Sequence, residues 1–544
     1  MLRQQGIPAI PEETRTVAQA AFPNGNIYLQ MRDEFGSIYE NDVFADLYPV
    51  DGQPAIAPWR LALVTIMQYV ENLSDRQTAE AVRGNIAWKY ALSLPLTDAG
   101  FDFSVLSEFR QRLVQHEAGE RLLNAVLVEL KGKGLLKARG QQRTDATHVL
   151  AAVRELSRVE NVGETLRQAL NELAVLAPDW LRAQVTAEWF DRYGVRMEYQ
   201  RLPKGLQERQ ALGERIGQDG YHLLEVYYQA RAQGQVPISE AVEILRRVWV
   251  QQFWCDAGRV RQREVDHMPP VADWIRSPFD LEARYAKKRE TEWVGYKVHL
   301  TETCDTQTPR LITHVATTPA PESDSAALSL IWHDLAALDL LPAQHLVDAG
   351  YVEGPVLVAG PAHYNLDVIG PAPQDQSWQA RSEDGIILAH FVIDWEAHTV
   401  TCPTGQVSQG WYPSHSASGH PTISVNFAAR SCRACPLKPR CTKGPARFLT
   451  LRPRPLHDAL QAARQRETTD DFKTTYRARA GIEGSISQAV RVNGLRQTRY
   501  IGLAKTHLQN LASAAALNVL RAMAWLNEVP VAPTRQSTFA RLAA

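Results

Sequence analysis

Between Tyr296 and Ala372 the apolar positions change period several times. YKVHLTE (296–302) and LITHVAT (311–317) are mostly apolar with some alternation and are separated by the turn-rich CDTQTP, so they predict two consecutive strands. From Ser323 to Leu338 apolar residues recur at helical spacing. HLVDAGY (345–351) then opens a short strand that ends on Asp348, and DVIGPA (367–372) supplies another. Two strands, a helix, a strand, a crossover and a strand suit a mixed sheet with helices on its faces. RTDATHVLAAV (143–153) predicts an earlier strand leading into a helix and carrying Asp145. With that strand added, the expectation is an α/β fold with a ribonuclease H-like mixed-sheet core.

The remaining segments hang on this core. Residues 1–35 are expected to form an extended arm and 36–135 an all-helical N-terminal domain. Within it, Pro58 suits a first helical turn, and WRLALVTIMQYVENL behind it is apolar on most faces and therefore buried. Ser74 and Gln77 form a capping box opening a second helix that bears Arg76 and Arg83, and SEFRQRL (107–113) lies on a third. Short helices with scattered arginines fit a helix-turn-helix DNA reader; a plain helical bundle is the competing reading. Residues 136–154 are assigned to the first part of the core, 155–285 to a helical insertion, and 286–378 to the second part of the core. Trp180, Trp189, Trp249 and Trp254 of the insertion are expected in its interior. Residues 379–455 are a small β-rich insertion, 456–526 a helical return to the core, and 527–544 a tail.

At 544 residues the chain is too long for a single core. Its 45% hydrophobic and 22% charged residues are ordinary for globular proteins, and no apolar run of ~20 residues could span a membrane. The start of the chain lacks a secretory leader pattern, so a cytoplasmic protein is expected. The net charge of −1 conceals a local imbalance: residues 430–500 hold 16 Lys/Arg against five Asp/Glu, which points to a polyanion such as DNA.

The chemistry-bearing candidates fall in three places. Asp348 ends a strand at the mouth of an α/β sheet, where ligands and metals bind, although a helix cap would also explain it. Asp145, between threonines, offers a second carboxylate. Tyr476, Arg479 and Glu483 are spaced i, i+3, i+7 on a predicted helix, and Gly481 and Gly484 flank the glutamate. An Arg–Glu helical pair would account for Arg479 and Glu483 alone, but not for glycines that each cost about 1 kcal/mol in a helix interior; close approach by a DNA backbone would. In the β-rich insertion, Cys402, Cys432, Cys435 and Cys441 include a C-x2-C pair and fit a closed structural Zn²⁺ site. Cys255 and Cys304 lie outside that set and are expected to be structural.

Taken together, Asp145, Asp348 and Glu483, with Tyr476-x2-Arg479-x3-Glu483 around the last, resemble the DDE set and Y-x2-R-x3-E signature of bacterial insertion-sequence transposases, in the IS-four-like superfamily and its IS eleven-eighty-two group. The resemblance extends over most of the chain, including SPFDLEARYAKKRETEWVGYKVHLTETC and the cysteine-bearing module. It departs where the signature continues with a lysine, a position filled here by Val490 with Arg491 beside it.

The resemblance implies cut-and-paste transposition on double-stranded DNA, both transposon ends and target, with a homodimer at least in the synaptic complex and no membrane partner. Two Mg²⁺ ions, with Mn²⁺ an acceptable substitute, suit two aspartates and a glutamate: Asp145 would bridge both ions, and Asp348 and Glu483 would complete one each. Tyr476 and Arg479 would hold phosphate near the cut, Arg491 would stand in for the missing lysine, and a hairpin intermediate is also implied. Two alternatives stay open: a catalytically silent zinc-bearing DNA-binding regulator, and a ribonuclease H-like nuclease without strand transfer.

Overall fold

The fold was read from a computed structural model that describes residues 1–2, 6–256, 258–416, 419–530, 539 and 542. The expected tail, 527–544, therefore lies largely outside the described residues. A six-stranded mixed sheet comprises β1 (Gln141–Leu150), β2 (Arg284–Lys288), β3 (Thr291–Thr303), β4 (Ile312–Pro319), β5 (Gln344–Val347) and β6 (Asp367–Ile369). Both β2 and β4 pair antiparallel with successive halves of the long β3, whose other edge pairs antiparallel with β1. Beyond β1, β5 and β6 follow in parallel. β3, β4 and β5 are buried along most of their length on both faces because helices cover both sides of the sheet.

One face is covered by α1 (Asp324–Ala337) and α2 (Gly354–Tyr364). Ser323 caps α1 by accepting the Ala326 N–H, and Leu328, Ile331, Trp332 and Leu335 pack with Val347 and Val356. The other face is covered by α3 (Gly481–Asn493) and α4 (Leu503–Leu526). α4 is apolar or small around almost its whole circumference and is buried along most of its length, the pattern of a central helix. Its Asn518 exchanges two hydrogen bonds with the backbone of Ile312, each 2.7 Å, tying the helix to the first residue of β4.

The N-terminal helices do not close a core of their own. Ala18, Leu63, Phe109 and Leu127 belong to the same hydrophobic cluster as Val298 and Leu300 of β3 and Leu511, Leu517 and Met523 of α4. The helix Pro58–Glu71 is buried on nearly every side, and the Tyr69 carbonyl oxygen accepts a hydrogen bond from Asn493 Nδ2 at 2.7 Å. The capping box at Ser74 and Gln77 is present, with both reciprocal bonds formed.

Three expectations need correction. Residues 1–35 are not an extended arm: they hold the helices Glu12–Ala21 and Ile27–Phe35, the second capped by Asn26, and Leu29, Met31 and Phe35 enter the main core. Prolines at 8, 11 and 23 punctuate these short helices and hide their period. In the helical insertion, Trp189 and Trp249 are buried as expected, but Trp254 is exposed on a hairpin, Phe253–Asp256 with Arg259–Gln262, as is Cys255. Tyr476, Arg479 and Glu483 do not share one continuous helix. They fall at the end of the helix Asp470–Tyr476, in the 3-10 turn Arg477–Ala480, and in the first turn of α3.

The two insertions have separate interiors. Val162, Leu166, Leu223, Leu245 and Trp249 form that of the helical insertion. In the β-rich insertion, a three-stranded antiparallel sheet (Gly410–His415, Pro421–Asn426, Phe448–Leu451) packs Val425, Leu449 and Leu451 with Val400 and Phe427.

Candidate active site

Parallel pairing of β1 with β5 sets Thr144 opposite Val347, so the next residues, Asp145 and Asp348, emerge side by side. Asp145 Oδ1 accepts the N–H of Ala146 at 2.8 Å, and Asp348 Oδ1 accepts that of Gly350 at 2.8 Å. Arg479 reaches both: its Nη2 lies 2.6 Å from Asp145 Oδ2 and 3.7 Å from Asp348 Oδ2, while Nη1 lies 3.0 Å from Glu483 Oε1. Carboxylates at positions 145, 348 and 483 thus converge on a single guanidinium. Arg479 Nε is buried without a hydrogen-bond partner, leaving the fork one donor unspent at the centre of the cluster.

The electrostatics follow from burial. Desolvation raises the pKa of the Asp145 carboxyl, and the Asp348 charge adds to this, against the opposing pull of Arg479. For Arg479, burial acts downward but is outweighed by Asp145, Tyr476, Asp348 and Glu483, so the net direction is up. Beneath the cluster, His345 Nε2 pairs with Thr144 Oγ1 at 2.6 Å, and its Nδ1 accepts the Trp332 Nε1–H at 2.8 Å. An accepting Nδ1 requires a neutral ring that donates from Nε2. Burial agrees, lowering the pKa of His345 to about 3. This bridge ties the two strands one residue before Asp145 and three before Asp348.

Sequence reasoning missed a fourth carboxylate nearby. A Cβ at Gly350 would lie 3.1 Å from both Asp324 Oδ2 and Asp348 Oδ1, and Asp324 is held by Lys297 Nζ at 2.7 Å. Asp324 follows the Ser323 cap and looks in sequence like an ordinary first-turn acid; only the fold brings it to the site.

The other candidate residues are placed as follows. Tyr476 is half-buried and stacks on Phe472, with ring centroids 5.4 Å apart and planes 13° from parallel; burial raises its pKa. Val490 packs against the main core, whereas Arg491 is exposed and donates from Nε to the Ser487 carbonyl at 3.3 Å. Arg76 and Arg83 make local contacts away from the carboxylates. The first lies over the Phe103 ring at 4.9 Å; the second pairs with Glu80 at 2.8 Å and reaches the Ala99 carbonyl at 3.2 Å. At Gly484 an added Cβ would meet open space, as the approach of a large partner requires, but at Gly481 it would fall 2.1 Å from Arg143 Nη1, so that glycine is explained by an internal neighbour.

Cys402, Cys432, Cys435 and Cys441 line one small cavity, with Thr404 Oγ1 lying 3.1 Å from Cys402 Sγ and 3.9 Å from Cys435 Sγ. Burial raises the pKa of Cys441, and the other three cysteines act in the same direction. Cys304 is separately pushed up to about 12 by burial. Among the described residues, the group of metal-ligand atoms lying within 4.8 Å of one another is the exposed Glu264, Asp266 and His267; neither the four thiols nor the three carboxylates are drawn that close.

A mixed sheet that sets two aspartates on adjacent parallel strands and meets a glutamate-bearing helix across an arginine offers hard oxygen ligands of the kind magnesium selects. Comparison with known families gives the class. Residues 401–523 match the family described as a transposase DDE domain, and residues 17–112 match the transposase domain family DUF772. The two matches show a transposase of the DDE type, an enzyme of the polynucleotidyl transferase and nuclease kind. They imply a ribonuclease H-like fold for the sheet, and domains of this type generally use divalent metals such as Mg²⁺ and act on DNA. The first match includes the four cysteines, Arg479 and Glu483; Asp145 and Asp348 lie outside both. No curated protein and no solved structure matches the chain. Among the described residues, no helix is long and apolar enough to cross a membrane.

Proposed function

We propose that this transposase moves an insertion sequence by a cut-and-paste route, as a member of the IS eleven-eighty-two group, with Asp145, Asp348 and Glu483 as its catalytic carboxylates. The observation that carries the reading is their convergence, from positions separated by 203 and 135 residues, on the Arg479 guanidinium. In the first step water attacks phosphorus in line and the P–O3′ bond breaks, freeing a 3′-hydroxyl at the element's end. In the second, that hydroxyl attacks a target phosphodiester, forming a new P–O bond as the target's own 3′-oxygen leaves. Two divalent ions held by Asp145, Asp348 and Glu483 would supply activation of the attacking oxygen and stabilisation of the leaving one.

The chain's own residues do the rest. Arg479 holds the carboxylates until DNA arrives, then turns its fork to a phosphate, for which a planar bidentate donor is suited. Tyr476 lines the same approach, and Arg491, Arg76 and Arg83 contact the duplex farther out. Cys402, Cys432, Cys435 and Cys441 would hold a structural zinc that closes the β-rich insertion; the support is their shared cavity and the donor set of four thiols. Paired ends require two copies at the moment of reaction, hence a homodimer in the synaptic complex.

The test is cleavage of a labelled duplex carrying the element's own end, in Mg²⁺, by wild type and Asp348→Asn. The expected result is cutting by the wild type and loss of cutting in the variant with duplex binding retained. Binding by both without cutting by either, on ends of verified sequence, would replace this reading with that of a DNA-binding regulator.

A further inference from the structure

Below the carboxylate cluster lies a second charged group that no reaction step uses. Glu302 of β3 has no exposed surface and stands opposite Arg143 of β1 in the strand register, so the two side chains leave the sheet on the same face. Arg143 Nε donates to Glu302 Oε1 at 2.7 Å, and Nη2 donates to the same oxygen. The other carboxylate oxygen accepts Arg521 Nη1 of α4 at 2.9 Å and the Ser485 hydroxyl of α3. Arg521 Nη2 also reaches Ser485 Oγ at 2.8 Å and Gln488 Oε1 at 2.9 Å. Finally, Arg143 Nη1 donates to the carbonyl oxygen of Ala478 in the 3-10 turn.

The chain positions of these contacts give them meaning. Ala478 immediately precedes Arg479, Ser485 follows Glu483 by two residues, and Arg143 precedes Asp145 by two. The segment carrying Arg479 and Glu483 is therefore fastened on one side to Arg143, on the strand of Asp145, and on the other to Glu302, the carboxylate that Arg143 pairs with. A buried ion cluster is a poor source of net stability, but its charged hydrogen bonds require their partners to stay in place, because an unpaired buried charge is costly. Gly481 fits the same device: a methyl group there would strike the Arg143 guanidinium at 2.1 Å.

We infer that the buried Arg143–Glu302–Arg521 cluster positions Glu483 and Arg479 against Asp145, and that residue 481 is glycine to admit the Arg143 guanidinium. These are positioning residues: they touch neither substrate nor metal. The inference rests on the reading of Asp145, Asp348 and Glu483 as a metal site.

Iron-directed backbone cleavage of the full chain separates the two. Fe²⁺ is bound in place of Mg²⁺, ascorbate and peroxide generate hydroxyl radicals at the ion, and the fragments are mapped. Wild type is expected to be cut near Asp145, Asp348 and Glu483. Arg143→Lys keeps the charge and loses the fork; Gly481→Ala keeps every charge and displaces the fork from the helix side. In both, cutting near Glu483 is expected to fall on the order of tenfold relative to cutting near Asp145 and Asp348, the scale seen when groups that orient metal ligands are altered. Gly484→Ala, whose Cβ meets open space, is the control and should keep the wild-type ratio. Should Arg143→Lys fail to fold, Gly481→Ala decides alone. An unchanged ratio in a folded Gly481→Ala overturns the positioning role and leaves the metal site standing. Wild-type protein with no cuts at the three carboxylates removes the metal site, and the inference with it.

Discussion

Removing the guanidinium from the carboxylate cluster tests what holds these acids together before metal and DNA arrive. Arg479→Gln keeps a hydrogen-bonding side chain but leaves Asp145 unpaired. The Arg479–Asp145 contact is 2.6 Å long, and the two side chains are only 14% and 12% exposed, so solvent screens it little. At an effective dielectric of 20 the Coulomb attraction alone is about 6 kcal/mol. Desolvation offsets part of this, and breaking such a pair costs about 3–5 kcal/mol in measured cases. Taking the lower figure and ~2.1 cal/mol/K of unfolding entropy per residue, a chain of 544 residues melting as one unit should lose about 3 °C in EDTA. The loss should shrink as pH falls, because Asp145, already raised by burial, takes up a proton instead of standing charged. It should also shrink in millimolar Mg²⁺, since a cation held by the same carboxylates replaces the one removed. Melting followed by calorimetry with EDTA and with Mg²⁺ is the assay. Equal destabilisation in the two would refute the reasoning, because Arg479 and a divalent ion would then not be interchangeable at this site.

Two further outcomes concern groups other than the three carboxylates. His345 is held neutral by burial with its pKa lowered to about 3, whereas in the unfolded chain it titrates near 6.5. Its contribution is therefore complete above pH 6.5 and is lost as pH falls from there toward 3, at about 1.4 kcal/mol per pH unit. Denaturant midpoints from pH 7 to pH 4 should fall less steeply in His345→Gln, and parallel slopes would count against this linkage. Wild-type protein purified without chelator should carry about one zinc per chain by elemental analysis, and Cys435→Ser should carry much less. A metal-free wild type would remove the zinc site.

Two strands are legible because they are short, apolar and bounded by turn residues: β5 before Asp348 and β4 around LITHVAT lie where alternation and punctuation put them, whereas the charged β2, Arg284–Lys288, carries no such signal. The meeting of Asp145, Asp348 and Glu483 was legible only through motif spacing, since no local signal relates residue 145 to residue 483. What stayed hidden depends on pairing across distance. The Arg143–Glu302 bond exists because β1 and β3 pair in one particular register, 159 residues apart, and nothing near either residue announces a partner. Asp324 looked like a helix start because it is one. Gly481 and Gly484 read alike in sequence, yet one makes room for an arginine and the other faces open space. The break at Arg477–Ala480 leaves no mark in the sequence because i, i+3, i+7 spacing fits a 3-10 turn flanked by two helices nearly as well as one unbroken helix.

Because α4 is the hub of the main cluster, the two ends of the chain depend on each other during synthesis. Leu63 and Leu127 have their apolar neighbours Leu511 and Leu517 between 384 and 454 residues downstream. At ~5–20 residues per second, roughly 20–80 s pass between the emergence of the N-terminal helices from the ribosome and the arrival of the helix that covers them. A chain terminated before Leu503 would leave that surface bare and fall to chaperones or proteases. The main core therefore cannot be covered until α4 has been made, and a product lacking α4 would not persist as a folded competitor of the protein that has it.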